Sequence, residues 1–314
     1  MHGIMTSSAG RGCPAASGAS SLLDGRIFFI NRDCDENRRQ AFERELAKAN
    51  VTAERIPAVN GLAVPDDLRP YFFSGSALHG GLRPGEVGCY ASHLKAMQMV
   101  AARDLSFAVV LEDDAVLPPD FEAAVAEVLA ALPASWDIVL LYGTPTRAFK
   151  TIANLSGQHG KLVRYSRVPS GAVAYLINSR GARKFLTPRK VDWPIDTDFR
   201  RPWVFNLEIF GALPQIVSHS GELTSAILEL GGRARQRRGI PLPKPGNWTG
   251  NPLHSPTGIF YNITKLGLRS WLRCLVLNTF ARIGRVAGTL KSQALGVETA
   301  AAKSAPSAKG AIAQ

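Results

Sequence analysis

Cysteine is scarce in this chain of 314 residues, and none of it is paired in sequence. Cys13, Cys34, Cys89 and Cys274 stand far apart with no C-x-x-C couple among them. That spacing suggests neither a zinc site nor a disulfide framework, and it suits a reducing compartment. The six histidines are scattered as well, fewer than a metal-dependent phosphoesterase normally needs. Long apolar runs are missing. No segment reaches the roughly 18–20 uninterrupted apolar residues of a membrane span. The opening stretch MHGIMTSSAGRGCPAASGASS has no apolar run of signal-peptide length. It is small and polar, so residues 1–24 are expected to be disordered.

Acid is lacking at one end only. The net charge is +12, yet residues 233–314 hold 13 Lys/Arg against the single acid Glu298, so residues 1–232 balance at 24 of each sign. A neutral body argues against a nucleic-acid surface. A basic tail points to an anionic partner. Within residues 265–287, Leu268, Trp271, Leu272, Leu275, Val276, Phe280 and Ile283 share one helical stripe flanked by Arg269 and Arg282. GRARQRRG (232–239) adds four arginines. The expected tail, residues 233–314, is partly helical and partly disordered, and lies on the anionic inner face of the plasma membrane, which makes the protein cytoplasmic and peripheral. The alternative is a helix packed on the body with its arginines in solvent.

What is present is an alternation of short apolar runs and helical patterns. RIFFINR (26–32) reads as a buried strand, 35–50 as a helix burying Phe42, Leu46 and Ala49, and 53–61 as a second strand. Residues 62–84 and 144–168 read as loops. Residues 84–104 form a helix with Val87, Tyr90, Ala91, Leu94, Met97 and Ala101 on one stripe. Strands are expected at 106–114, 137–143 and 213–220, a helix at 121–132, and a strand then a helix capped by Ser179 at 170–186. This order predicts an α/β layered domain with a mostly parallel sheet.

FAVVLEDDAVL (107–117) ends an apolar strand in three adjacent carboxylates. Side chains at i and i+2 share a face, which predicts Glu112 and Asp114 together with Asp113 opposite. Two carboxylates at a strand end suit Mg²⁺ or Mn²⁺, and an acidic corner without any ligand is the plain alternative. Arg38 and Arg39 follow the first strand and suit phosphate, or else a solvated helix face. Glu86 and His93 lie seven apart on one helix, as a relay or as a histidine held by a neighbour. VDWPIDTDF (191–199) gathers Asp192, Asp196 and Asp198 around Trp193, as a sugar site does, or as an acidic turn does.

Taken in order, GEVGCYASHLKA, AVVLEDDAVL, SGAVAYLINSRGARKFL and WPIDTDF resemble glycosyltransferase family 25, which includes bacterial lipooligosaccharide galactosyltransferases and collagen galactosyltransferase domains. The resemblance runs from FFINRDCDENRRQAF to about Ser225. It implies a GT-A-like catalytic domain over 25–232, a divalent metal, a nucleotide-sugar donor (usually UDP-galactose) and inverting transfer to a glycan or glycolipid such as lipopolysaccharide. It places the metal at Glu112 and Asp114. Donor-side residues are Asn31, Arg38, Arg39, Glu86, Ser92, His93 and Asp113. The catalytic base is Asp196, with Asp198 or Asp192 as substitutes. The rival expectation is a non-catalytic glycan- or lipid-binding protein on the same fold.

Overall fold

The computed structural model of the chain describes residues 21–78, 81–157, 159–220 and 255–294, with side chains as far as Ile283. In chain order its elements are β1 (Ile27–Asn31), α1 (Glu36–Lys48), β2 (Glu54–Pro57), α2 (Arg69–Phe72), β3 (Phe73–Ser74), β4 (Ala77–Leu78), α3 (Pro84–Ala102), β5 (Ala108–Glu112), β6 (Ala115–Val116) and α4 (Phe121–Ala131). Then come β7 (Ile138–Leu140), β8 (Phe149–Asn154), β9 (Lys161–Tyr165), β10 (Ala174–Ile177), α5 (Ser179–Phe185), α6 (Ile195–Phe199), α7 (Pro202–Phe205), β11 (Ile209–Leu213), β12 (Ser218–His219), α8 (Pro256–Leu266) and α9 (Leu268–Ala294).

Among the described residues, eight strands form one sheet in the order β2-β1-β5-β10-β7-β11-β9-β8. Only β9 and β10 run against the rest, so the sheet is mostly parallel in direction. The two-residue period sorts its side chains into two cores. Phe28, Val110, Ile138, Leu140, Tyr175 and Ile177 face the helices α3, α5, α6 and α7. Ile27, Phe29, Val109, Leu111, Val139 and Leu176 face α1 and α4. Burial on both faces explains why these strands are continuous apolar runs rather than alternating ones. By the same parity Glu112 points toward α3.

Helix α3 is buried on nearly every side, including Glu86, Ser92 and His93, and not along a single stripe. It lies between the sheet and α5, and its first turn meets the 59–61 loop. The two glycines of that junction are what let the backbones touch: a Cβ on Gly88 would come 2.5 Å from the Val59 carbonyl oxygen, and one on Gly61 would strike the Pro84 carbonyl.

Several boundaries differ from expectation. Residues 62–84 contain α2 and the β3–β4 hairpin, and 144–168 contain β8 and β9. β8 is an edge strand of mixed polarity and β9 buries a charged Arg164, so neither shows an apolar run. The last long strand is β11, upstream of 213–220, where only the two-residue β12 forms. Helix α5 is capped by Asn178, whose side chain accepts from the Gly181 amide at 2.8 Å, and not by Ser179. The expected disorder through residue 24 fails at its end, because Leu23 is buried in the core. The rest of that segment, 1–20, and the arginines of 232–239 lie outside the described residues.

Gly88→Ala should destabilise the fold by about 2–3 kcal/mol, since backbone rather than a mobile side chain blocks the new methyl. Thermal unfolding should show a Tm lower by roughly 4–10 °C. An unchanged Tm would mean that the 59–61 loop does not press on α3 in solution.

Candidate active site

The carboxyl ends of β1 and β5 open into a cleft of about 700 Å³, its open mouth included. Asn31, Arg38, Val59, Cys89, His93 and the trio Glu112–Asp114 contribute to its lining. Ligand sites in open α/β sheets sit at such strand ends.

Strand β5 stops at Glu112, whose amide donates to the Val173 carbonyl at 2.8 Å. The chain then turns through Asp113 and Asp114 before the short pairing of β6 with β12. The turn corrects the strand expectation: all three carboxylates face the same cleft. Their charge is met from the protein itself. Arg38 donates through Nε to Asp113 Oδ1 at 3.0 Å, and its Nη2 pairs with both Asp113 and Asp114, the latter at 3.2 Å. Asn31 donates to Asp113 Oδ2 at 2.7 Å. His219 Nε2 lies 3.2 Å from Asp114, and His93 Nε2 lies 3.4 Å from Glu112. Burial alone would weaken the charge on Arg38, but its hydrogen bond to Asp113 and the pull of both aspartates hold it more firmly protonated than usual.

Asp114 is the least satisfied of the three. Burial, then the neighbouring charge of Glu112, push its carboxyl up from the ordinary range, against His219 and Arg38. Among the described residues its Oδ1 is buried without a hydrogen-bond partner. An orphaned carboxylate oxygen beside a second carboxylate is a fit for a hard divalent cation, and Asp114 with Glu112 could hold one. A second donor set exists: ligand atoms of Cys89, His93 and Glu112 lie within 4.8 Å of one another. Burial, then Glu112, hold the Cys89 thiol protonated.

The remaining expected residues fall into two groups. Asn31 and Ser92 line the cleft but are fixed by the scaffold: Asn31 Oδ1 accepts from Arg55 Nε at 3.0 Å, and Ser92 Oγ accepts from the Val59 amide at 2.8 Å. His93 Nδ1 lies 3.0 Å from the hydroxyl of fully buried Tyr175, which serves as a core residue. Glu86 does not meet His93. Its carboxylate accepts from the Arg83 amide at 2.9 Å and caps α3, so no Glu86–His93 relay forms. Arg39 pairs with Glu36 at 2.6 Å on the outer face of α1, away from the cleft lining.

The two aspartates of α6 are unlike each other. Asp198 is buried, accepts from the Tyr90 hydroxyl at 2.8 Å and pairs with Arg201 at 2.6 Å. Asp196 is half-buried, its described hydrogen bond being a 3.4 Å contact with Thr197, and its charge is felt at Cys89 in the cleft wall. Arg55 is absent from the residues expected at the site, and the sequence leaves the role of His219 open. A charged residue in the middle of the short strand β2 was the available signal for Arg55; nothing local signalled His219, which arrives through β12.

A family model described as Glycosyltransferase family 25 (LPS biosynthesis protein) matches residues 25–199. Among curated proteins, the chain is 26% identical over 196 residues to a Glycosyltransferase 25 family member of Drosophila melanogaster, covering 60% of this chain and 32% of that one. It is 26% identical over 177 residues to Procollagen galactosyltransferase 1-A of Xenopus laevis, covering 51% and 28%. It is 27% identical over 192 residues to Inactive glycosyltransferase 25 family member 3 of Mus musculus, covering 57% and 32%. The chain thus spans about a third of the length of these relatives.

The contrast on α6 gives a test that needs no substrate. Asp198→Ala strands Arg201 and the Tyr90 hydroxyl, and should cost about 3 kcal/mol in denaturant unfolding. Asp196→Ala should stay within about 0.5 kcal/mol of wild type. Equal losses would refute the division of the two residues into scaffold and free acid.

Proposed function

The chain belongs to glycosyltransferase family 25, and from that premise we propose that it is a GT-A-like, metal-dependent inverting transferase. It moves galactose from UDP-galactose to a surface glycan of the lipopolysaccharide kind. The observation that carries this reading is the convergence of Glu112, Asp113 and Asp114 on one cleft, with Asp114 Oδ1 left without a partner. The names of the matching family and of the relative from Xenopus laevis support the sugar and the acceptor class.

Glu112 and Asp114 would hold a Mn²⁺ or Mg²⁺, which would supply Lewis acidity toward a diphosphate leaving group. Arg38 holds Asp113 in place, and its own positive charge lies at the cleft where the diphosphate would sit. Asn31 and Arg55 fix the far side of Asp113. Asp196 takes the proton from the acceptor hydroxyl as that oxygen bonds to the anomeric carbon. The bond from that carbon to the diphosphate breaks with its electron pair, and UDP leaves. Asp198 supports this from behind by locking α6 to Tyr90.

A second reading has an observation of its own. Arg38 already neutralises Asp113 and reaches Asp114, as expected of a glycan- or lipid-binding protein without turnover, and some relatives carry the word inactive in their names. Release of UDP from UDP-galactose with Mn²⁺ separates the two.

The described tail favours a membrane surface. α8 and α9 break at Gly267, and α9 turns Cys274 and Asn278 inward. Asn278 Oδ1 accepts from the Ala148 amide at 2.7 Å. The stripe Leu268, Leu272, Val276, Phe280 and Ile283 is exposed, Phe280 at 67%. Trp271 and Leu275, expected on that stripe, are half-buried. Arg269, Arg273 and Arg282 are exposed on the same helix. No helix among the described residues is long and apolar enough to cross a membrane. Apolar side chains among arginines suit the anionic inner leaflet, where a lipid-linked acceptor is presented.

Asp114→Ala should abolish transfer in a protein that stays folded, and Asp196→Asn should lower kcat roughly 100-fold or more with donor binding kept. A folded Asp114→Ala variant with more than about a tenth of wild-type activity would overturn the metal assignment. For the tail, the protein should sediment with phosphatidylglycerol vesicles at low salt and be released at high salt, and Phe280→Asp should weaken this at least several-fold. Equal binding to neutral vesicles would refute the anchor.

A further inference from the structure

Away from the acidic cleft, the segment after β9 builds a site of opposite sign. Arg164, Tyr165, Ser166, Arg167 and Arg200 share a crevice with Trp203 of α7 and Tyr261 of α8. Its described acid is already engaged: Glu208 pairs with Arg164 at 2.5 Å and also with Lys265. Arg167 is half-buried and has no acidic partner among the described residues. The charged groups acting on it are Arg200 and Arg147, both of its own sign. Burial, then those two neighbours, pull its guanidinium down to about 10. A charge held in this way lacks a counter-ion among the described residues.

The unsatisfied atoms on these residues have one chemistry. Among the described residues, Arg167 Nε, Arg164 Nη1 and the Tyr165 hydroxyl are buried without a hydrogen-bond partner. Each can donate. Arg164 is answered in part by Glu208 and packs over the Phe210 ring, on the other face of β9 from Tyr165, so the group the crevice offers to an oxyanion is the Arg167 fork, and a phosphoryl group presents several acceptor oxygens to such a fork. The position suits a substrate rather than a structural ion. Arg200 caps the helix that carries Asp196, and the indole of Trp203 and the ring of Tyr261, with centroids 6.4 Å apart, stand at the same crevice as apolar surface for a sugar.

We propose that the Arg167 crevice is an acceptor subsite that receives a phosphoryl oxyanion, so that the acceptor of this transferase is an anionic, phosphate-bearing glycan. This rests on the transferase reading for its role, but the binding site itself does not. The oxyanion can belong to a phosphorylated sugar of that glycan or to the headgroup of the lipid that carries it, presented beside α9.

The test reads binding without turnover. The full chain is unfolded thermally in inorganic phosphate and in chloride at equal ionic strength. Phosphate at about ten times its Kd should raise Tm by roughly 3–6 °C. Arg167→Gln should lose most of that rise. Arg147→Gln, at a partly exposed position that carries little packing, should lose part of it. In a second arm, both variants are sedimented with phosphatidylglycerol vesicles. Reduced sedimentation of Arg167→Gln assigns the oxyanion to a lipid headgroup, and unchanged sedimentation with the phosphate effect lost assigns it to a phosphorylated sugar. A wild-type Tm that does not distinguish phosphate from chloride, or a phosphate rise that survives in Arg167→Gln, overturns the subsite. Because the readout is a Tm, a protein that released no UDP would refute the transferase and leave this result standing.

Discussion

Three carboxylates on consecutive residues repel one another, and the end of β5 can exist only if positive charge is brought to it. At separations near 4 Å, each pair of like charges costs about 4 kcal/mol at the effective dielectric of a protein surface. The fold answers with Arg38. Its guanidinium arrives from α1, on the far side of β1, and meets Asp113 and Asp114 together. The cation demanded by the sequence is therefore in part a residue of the same chain. This contact ties α1 to the end of β5, and Asn31 ties the end of β1 to the same aspartate. The cleft is shaped by the compensation of its own charge.

The compensation is incomplete, and the remainder is what could hold a cation. Four nitrogen-bearing side chains, Asn31, Arg38, His93 and His219, reach the trio. Asp114 keeps one oxygen unsatisfied and its carboxyl is pushed up by burial and by Glu112. A scaffold selected for stability alone would replace such a group with an amide or an apolar side chain. Retaining a destabilised carboxylate at a strand end is what a site that recruits a cation requires. The same economy appears on α6, where Asp198 is spent on Tyr90 and Arg201 while Asp196 stays uncommitted.

The sequence made the central strands and the acidic cleft legible for a physical reason. β1, β5, β7 and β10 are buried on both faces, so each is a short unbroken apolar run, and β5 announces its end with charge. β8 and β9 were not legible, because an edge strand needs little apolar side chain and the charge of buried Arg164 is cancelled by Glu208, more than forty residues later. Ion pairs were not legible for the same reason. Arginines after a first strand suit phosphate, and nothing local says that Arg38 turns to Asp113, 75 residues away. Glu86 and His93 align on a helical wheel, yet the needs of a helix terminus took Glu86 first. Helical spacing located the stripe of α9 but could not say which side the body would take.

That side is the informative one. A helix at the edge of an α/β domain ordinarily buries its apolar face and leaves polar groups outside. α9 does the reverse: Asn278 and Cys274 face β8 and the segment beside Ser166, while Leu272, Val276, Phe280 and Ile283 face outward. Fully covering a side chain of that size is worth about 1.5–3 kcal/mol, so four of them left outside forgo several kcal/mol that a simple rotation of the helix would recover. Rotation is blocked by the hydrogen bonds of Asn278 to Ala148 and Ser166. The orientation is therefore built in, and it places the apolar stripe on the same segment of the molecule as the basic crevice of Arg167, since Ser166 touches both. The apolar strip and the proposed oxyanion site share one residue, and together they form a single amphipathic edge.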